Sequence, residues 1–248
     1  MKIEGPKMPM ENYLGLVKSD TLRWRLALTV ATEYARIPEL VEIAALKNIV
    51  ALEVISPPHA QSISDSEGAS MATLNNRVVR TWSELAQSSG AFAYLSILRL
   101  HHQTELSGVA LHYMRDFPSL RFIIVHNCPG VASAGDCTEG WEVAAIPELL
   151  SCTELHDCYT GMIDIGEKGG QMLSQDIPVL DFQIGPSIHR ASKRAGTPVC
   201  LRRCEESYTP EPAAKKHKAG GPSGRNRSKK RVMKERKGDL DSVLAELK

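Results

Sequence analysis

The stretch from Phe117 to Cys128, FPSLRFIIVHNC, constrains the fold of this chain more than any other part of the sequence. Its apolar residues first recur at every third position and then alternate, in the pattern F-x-x-L-x-x-I-x-V-x-x-C. Ile123 and Val125 belong to the alternating half, and residues two apart in a strand point to the same face. The pattern therefore predicts a short buried strand that is preceded by Leu120 and closed by a buried Cys128.

Two upstream stretches, LKNIVALEVISP and FAYLSILRLHHQ, repeat the same spacing. The matching apolar positions are Leu46, Ile49, Leu52 and Val54 in the first and Phe92, Leu95, Leu98 and Leu100 in the second. A further strand is predicted over Val179–Ile184, VLDFQI, where apolar residues alternate between Pro178 and Gly185. The chain is therefore expected to contain several short strands of one kind.

The three copies resemble the leucine-rich repeat, L-x-x-L-x-L-x-x-N/C. The resemblance covers about residues 37–130, and it extends to 185 if the fourth strand belongs to it. It implies a short α/β solenoid with parallel strands and crossover helices. A generic open α/β sheet stays as the alternative, because short apolar strands are common.

Helices are predicted between the strands. Apolar residues recur at helical spacing in ATLNNRVVRTWSELAQ and in ELSGVALHYMRDF. Alternating strands and helices favour parallel strands joined by right-handed crossovers. A further helix over Leu22–Arg36 would cover the exposed edge of the first strand, because a terminal repeat cannot bury its own end.

The composition along the chain predicts four parts. Residues 1–20 are expected to form a loosely held leader, and residues 21–185 the α/β domain. Within that domain a short helix is expected near 141–150 and loops over 151–170. Residues 186–238 are polar and basic, which predicts a disordered linker, and residues 239–248 are expected to form a short amphipathic helix.

The first residues, MKIEGPKMPMENY, lack the apolar core of a secretory signal, and no apolar run approaches the length of a membrane span. The 6 cysteines are therefore expected to be reduced thiols in an intracellular protein with no membrane partner. The net charge of +1 averages over a basic C-terminal tail and a mildly acidic remainder.

One face of the predicted sheet is a candidate binding surface. If the alternating apolar residues of the three strands face the core, their neighbours in sequence face the other way. Those neighbours are Glu53, Ile55, Arg99, His101, Ile124 and His126. Mixed charge, imidazole and aliphatic side chains on a concave sheet face suit a protein partner. A solvated face without a partner is the alternative.

The basic tail carries two clusters separated by about a dozen residues rich in glycine. The clusters consist of Lys215, Lys216, Lys229, Lys230 and Arg231. This arrangement resembles a bipartite nuclear localisation signal, which implies an importin as partner and the nucleus as location. The same charges also favour contact with the RNA or DNA backbone. Base stacking is not indicated, because Tyr208 is the only aromatic residue nearby.

The last residues, GDLDSVLAELK, have one apolar face at helical spacing. It consists of Leu240, Val243, Leu244 and Leu247. An isolated helix of this length is marginal in water. We therefore expect it to dock into a groove, either on a partner or on its own domain.

No motif of a known catalytic class is present: there is no G-x-S-x-G, H-E-x-x-H or phosphate-binding glycine loop. Cys158 lies beside His156 and Asp157, but sequence neighbours rarely aim at one another. The pairs His126/Cys128 and His156/Cys158 are too tightly spaced for a typical zinc site. The sequence therefore predicts no catalytic residue, no metal and no cofactor.

Together these features predict a nuclear, non-enzymatic interaction or scaffold protein that suits a nuclear or nucleolar ribonucleoprotein assembly. A nucleic-acid-binding accessory factor that uses the basic tail is the first alternative. A zinc- or thiol-dependent enzyme is the second.

Overall fold

A computed structural model describes residues 1–57, 72–132, 140–166, 177–186 and 198–204. Within them, eight strands form one sheet with the order β1-β7-β2-β3-β4-β5-β8-β6. The strands are β1 (Lys2–Ile3), β2 (Arg25–Ala31), β3 (Ile49–Ile55), β4 (Ile97–His101), β5 (Phe122–His126), β6 (Trp141–Val143), β7 (Val179–Ile184) and β8 (Val199–Arg203). The neighbours from β1 to β5 are parallel, whereas β8 runs antiparallel to both β5 and β6.

The helices lie on both faces of this sheet. They are α1 (Met10–Val17), α2 (Ile37–Glu42), α3 (Asn76–Ser89), α4 (Val109–Met114), α5 (Pro129–Ala132), α6 (Pro147–Ser151) and α7 (Leu155–Gly166). The longest, α3, is capped by Asn75, whose side-chain oxygen accepts a hydrogen bond from the Val78 amide. It ends at Gly90, which has the left-handed conformation with φ 70° that favours glycine.

The predictions for the middle of the chain are confirmed. The three repeated stretches become β3, β4 and β5, which are adjacent in the sheet in chain order, and α3 and α4 lie between them in sequence. The alternating apolar residues join one core cluster with α1 to α4: Leu52, Val54, Leu98, Leu100, Ile123 and Val125. Cys128 is buried in the same cluster. The protein is thus an α/β fold with a mostly parallel sheet.

The predicted helix over Leu22–Arg36 is wrong, because Arg25–Ala31 forms the inner strand β2. This strand pairs with β3 on one side and β7 on the other. All its residues from Leu26 to Ala31 are buried. A strand buried on both faces has continuous rather than alternating apolar residues, so its periodicity cannot be distinguished from that of a buried helix.

The leucine-rich-repeat-like solenoid is not confirmed. Beyond β2 the sheet continues with β7 and β1, and beyond β5 with β8 and β6. A second core cluster on the opposite face contains Leu149 from α6 and Leu155, Tyr159 and Met162 from α7. The described residues therefore form three layers, with helices on both sides of the sheet.

The structure also corrects the predicted boundaries of the domain. Residues 1–20 are not a loose leader, since β1 pairs with β7 and α1 buries Met10, Tyr13, Leu14 and Val17. Strand β8 (Val199–Arg203) lies beyond the predicted end at 185. Residues 141–150 begin as β6, and the predicted loops over 151–170 contain α7.

None of the helices in the described ranges is both long enough and apolar enough to cross a membrane.

Candidate functional site

A cleft of about 250 Å³ lies at the carboxyl ends of the parallel strands, on the face that α6 and α7 partly cover. We call it the strand-end cleft. Its floor is formed by side chains from neighbouring strands: Asp181 and Gln183, Thr29, Glu53 and Ile55, Arg99 and His101, and His126. Its wall is formed by the end of α6, the connection to α7 and the first residue of α7, from Leu150 to Leu155. Open α/β sheets bind ligands at this end of their strands.

The strand register explains why these side chains meet. Glu53, Arg99 and Ile124 are aligned across β3, β4 and β5. Two residues further on, Ile55, His101 and His126 form a second aligned row. The predicted set of six therefore shares one face of the sheet. Five of its members line the strand-end cleft, whereas Ile124 is buried in the core beneath α7.

Glu53 is the centre of a buried hydrogen-bond network. Arg99 Nε donates to Glu53 Oε1 at 2.6 Å, and His101 Nε2 lies 2.9 Å from the same oxygen. The hydroxyl of Thr29 donates to Oε2 at 2.9 Å. The side chains of Arg99 and Glu53 are only 4% and 7% exposed. Both oxygens of the carboxylate are thus occupied by groups of the protein itself.

Arg99 also joins the sheet to the wall of the cleft. Its Nη1 donates to the carbonyl oxygen of Cys152 at 3.1 Å and contacts Cys158 Sγ at 3.4 Å. Its Nη2 donates to the carbonyl oxygen of Thr153 at 3.1 Å. The sheet face predicted to be open is therefore largely covered at this point, because the guanidinium holds the α6–α7 connection over it.

The ion pair determines the pKa of its carboxylate. Burial by itself would raise the pKa of Glu53, but the positive charge of Arg99, the neighbouring His101 and the hydrogen bond from Arg99 lower it to about 2. Burial would likewise lower the pKa of Arg99, and Glu53 reverses this and raises it. Both groups are therefore charged throughout the neutral pH range.

His126 lies half-buried beside this network. Its ring is stacked on that of His101, with ring centroids 4.2 Å apart and planes 11° from parallel. Burial, together with the nearby His101 and Arg99, lowers the pKa of His126 to about 3. Its imidazole is therefore neutral near pH 7 and offers one donor and one acceptor.

The residue types considered for thiol catalysis are not brought together. The side chain of Cys158 is buried, and burial raises the pKa of its thiol to about 12. His156 and Asp157 lie on the solvent side of α7, with His156 Nδ1 and Asp157 Oδ1 3.6 Å apart. In the parts of the chain that the structure describes, no group of three or more His, Cys, Asp or Glu side chains is placed to hold a metal ion.

Several residues of the cleft were not foreseen. The sequence predicts a helix over Leu22–Arg36, which contains Thr29, and loops over 151–170, which contain most of the wall. A helical signal was present there, because Leu155, Cys158, Tyr159 and Met162 recur at the spacing of one helix face and are all buried. At the mouth of the cleft Lys2 Nζ lies 2.8 Å from Glu154 Oε1. Nothing in the sequence pairs residues so far apart.

The remaining predicted sites lie outside the described residues. They are the basic clusters at Lys215, Lys216, Lys229, Lys230 and Arg231, and the apolar helix face at Leu240, Val243, Leu244 and Leu247.

Comparison of this chain with protein-family models, with curated proteins and with solved structures finds no match.

Proposed function

We propose that this chain is a nuclear, non-enzymatic interaction protein whose folded domain binds a protein partner in the strand-end cleft. The observation that carries the proposal is that Glu53 and Arg99 hold each other in the charged form, while the imidazole of His126 is neutral near pH 7. A cleft of this kind presents a constant pattern of donors, acceptors and apolar surface. That is a property of a recognition surface.

The pKa values in the cleft favour binding over acid–base catalysis. An efficient general acid or base has a pKa near the operating pH. The pKa of Glu53 is lowered to about 2 and that of His126 to about 3, whereas burial raises that of Cys158 to about 12. Each of these groups keeps one protonation state near neutral pH, so none is matched to proton transfer or to nucleophilic attack.

The size and lining of the cleft favour part of a protein partner over a cofactor. Pockets that bury drug-sized ligands span roughly 300–1,000 Å³, and this cleft measures about 250 Å³. Apolar side chains of Ile55, Leu150 and Leu155 lie among the polar ones, and Lys2 and Glu154 form a charged rim. An apolar centre with a polar rim is the usual composition of a protein interface.

The proposal predicts site-specific crosslinking in nuclear extract. A photoreactive amino acid at Ser151, an exposed residue at the mouth of the cleft, is expected to capture one defined protein. The matched control carries the same group at Glu84, which is exposed on α3 on the other face of the sheet. The capture is read as a new band on a denaturing gel and identified by mass spectrometry. If both positions capture the same proteins, or if only Glu84 does, the cleft is not the binding surface.

Nuclear location is the second part of the proposal, and the basic tail supports it. A fusion of the full chain to a reporter too large to diffuse through nuclear pores is expected to accumulate in the nucleus. Alanine at the five basic positions removes the charge that acidic importin pockets recognise, so this variant is expected to stay in the cytoplasm. The control replaces the four lysines of the set, Lys215, Lys216, Lys229 and Lys230, by arginine and keeps the charge. Nuclear accumulation of the alanine variant, read by fluorescence microscopy, would contradict this part.

The density of lysine and arginine between residues 225 and 237 favours a second candidate, contact with RNA or DNA. Such contact depends steeply on salt, because each neutralised phosphate releases counterions.

We retain as a further proposal the leucine-rich-repeat-like character of residues 37–130, without the open solenoid. Its support is that β3, β4 and β5 are adjacent in chain order and that α3 and α4 pack in one core cluster.

A further inference from the structure

Two cysteines lie near each other at the wall of the strand-end cleft, because both thiols bind the last turn of α6. Cys152 directly follows α6, and Cys158 lies in α7. Their thiols donate to consecutive carbonyl groups of α6: Cys152 Sγ to Glu148 O at 3.0 Å and Cys158 Sγ to Leu149 O at 3.6 Å. The two thiols are also close enough for Cys152 to raise the pKa of Cys158. Both are free cysteines.

Arg99 of β4 contacts the same two cysteines from the side of the sheet. Its Nη1 lies 3.1 Å from the carbonyl oxygen of Cys152 and 3.4 Å from Cys158 Sγ. The guanidinium is itself held by Glu53, so its position is determined by the buried ion pair. The two cysteines are therefore kept close by a rigid part of the sheet and not by the connection alone.

The two thiols differ in exposure, which suggests separate roles. Cys152 is half-buried and lines the cleft, so a dissolved reagent reaches it. Cys158 is completely buried. Burial disfavours its thiolate, but the charge of Arg99 stabilises negative charge on this sulfur as it develops. Attack from outside is thus expected at Cys152, and the second step at Cys158.

We propose that Cys152 and Cys158 form an oxidisable dithiol that closes into a disulfide in the wall of the strand-end cleft. The co-reactant is a small-molecule disulfide such as glutathione disulfide. The Cys152 thiolate attacks one of its sulfurs, forms a mixed disulfide and releases one thiolate. Cys158 then loses its proton to the released thiolate or to water, attacks Cys152 Sγ and expels the second thiolate. The protein loses two electrons and two protons, and the reagent is reduced to two thiols.

Closing this disulfide changes the wall of the cleft. It removes the hydrogen atoms by which Cys152 and Cys158 bind the carbonyl groups of Glu148 and Leu149. It also replaces the thiol that Arg99 contacts. The inference goes beyond the proposed function, because it concerns a chemical modification and needs no partner for its test.

The test uses the full chain in glutathione redox buffers, followed by alkylation of free thiols and digestion with a protease that cleaves after glutamate. Cleavage after Glu148, Glu154 and Glu167 releases two separate peptides. They are LLSCTE, which contains Cys152, and LHDCYTGMIDIGE, which contains Cys158. The expected result is a linked pair of these peptides in mass spectra, two hydrogens lighter than the sum, which separates on reduction. We expect this pairing to predominate over every other pairing of Cys152.

Cys204 provides the matched control, since it is also half-buried but lies at the end of β8. Cys204→Ser is expected to leave the linked pair unchanged, whereas Cys152→Ser abolishes it. Circular dichroism checks that each variant is folded. The search for the linked peptides in the wild-type protein does not depend on the variants. A glutathione adduct that persists on Cys152 without the linked pair, or a predominant link from Cys152 to another cysteine, would overturn the inference. So would a fully reduced pair in buffers that oxidise Cys204.

Discussion

Replacing Arg99 by methionine is expected to destabilise the folded protein by about 3–5 kcal/mol at neutral pH, the usual cost of removing one partner of a buried ion pair. The change leaves the Glu53 carboxylate buried without its principal counter-charge. It also removes the donors that satisfy the carbonyl oxygens of Cys152 and Thr153. The α6–α7 connection would then lose its attachment to the sheet.

The loss is expected to depend on pH. In the wild-type protein the pKa of Glu53 is lowered to about 2, below its value of about 4.3 in an unfolded chain. Its contribution to stability is therefore present above about pH 5 and is lost as the pH falls toward 2. Without Arg99, burial raises the folded pKa above the unfolded one. The carboxylate then destabilises the variant at neutral pH, and the difference from wild type narrows as the pH falls.

Urea denaturation of both proteins at pH 7 and pH 4 measures this effect as a free energy of unfolding. Arg80→Met is the control, because Arg80 forms an exposed ion pair with Glu84, with side chains 64% and 61% accessible. Exposed pairs contribute roughly 0.3–0.5 kcal/mol. The double variant Glu53→Gln, Arg99→Met is expected to be more stable than Arg99→Met alone. Equal stabilities of Arg99→Met and Arg80→Met would contradict the role of the buried pair.

Trp82→Ala is expected to destabilise the protein by about 3–5 kcal/mol, the range for removing a large aromatic side chain from a core. Trp82 lies on α3, is fully buried and packs edge-on against Phe92, with ring centroids 5.4 Å apart. Its Nε1 donates to the Leu40 carbonyl oxygen of α2 at 2.9 Å. The substitution removes the packing and also leaves a buried carbonyl oxygen without its donor.

Two controls separate these contributions in thermal and urea denaturation. Trp82→Phe keeps most of the apolar volume and loses the hydrogen bond, so its cost is expected to be smaller, about 1–3 kcal/mol. Tyr94→Ala removes a partly exposed aromatic ring and is expected to cost less than either. A Trp82→Ala protein as stable as Tyr94→Ala would mean that α2 and α3 do not depend on this contact.

Local sequence spacing was sufficient where charged or imidazole side chains mark one face of a strand, or where a helix has one buried face. Strands β3, β4 and β5 alternate, and α3 carries its apolar residues at helical spacing, so both periods are visible without the structure. The register then follows in part, because β4 and β5 begin at corresponding positions of similar stretches. This is why the sequence alone predicts that Glu53, Arg99, His101 and His126 share one face of the sheet.

Spacing failed where an apolar run contains no charged or imidazole side chain to mark its second face, or where burial depends on distant segments. Strand β2 has no charged residue from Leu26 to Ala31, so its buried apolar run also fits a buried helix. Strand β7 was recognised as a strand, but its place between β1 and β2 depends on pairing with residues far away in the chain. Residues 1–20 are predicted to form a loosely held leader, yet α1 supplies Met10, Tyr13, Leu14 and Val17 to the core from one face.

The sequence by itself thus determined which side chains share a face of the sheet, because a strand has a period of two whatever surrounds it. Only the tertiary structure decided that this face is covered and becomes the floor of a cleft. Arg99 binds carbonyl groups of Cys152 and Thr153, which are 53 and 54 residues away in the chain. No local sequence pattern predicts such contacts. They cover the row of polar side chains, so the ion pair between Glu53 and Arg99 is buried. The physical reason is that burial and charge depend on every segment that packs nearby, whereas periodicity depends on the backbone alone.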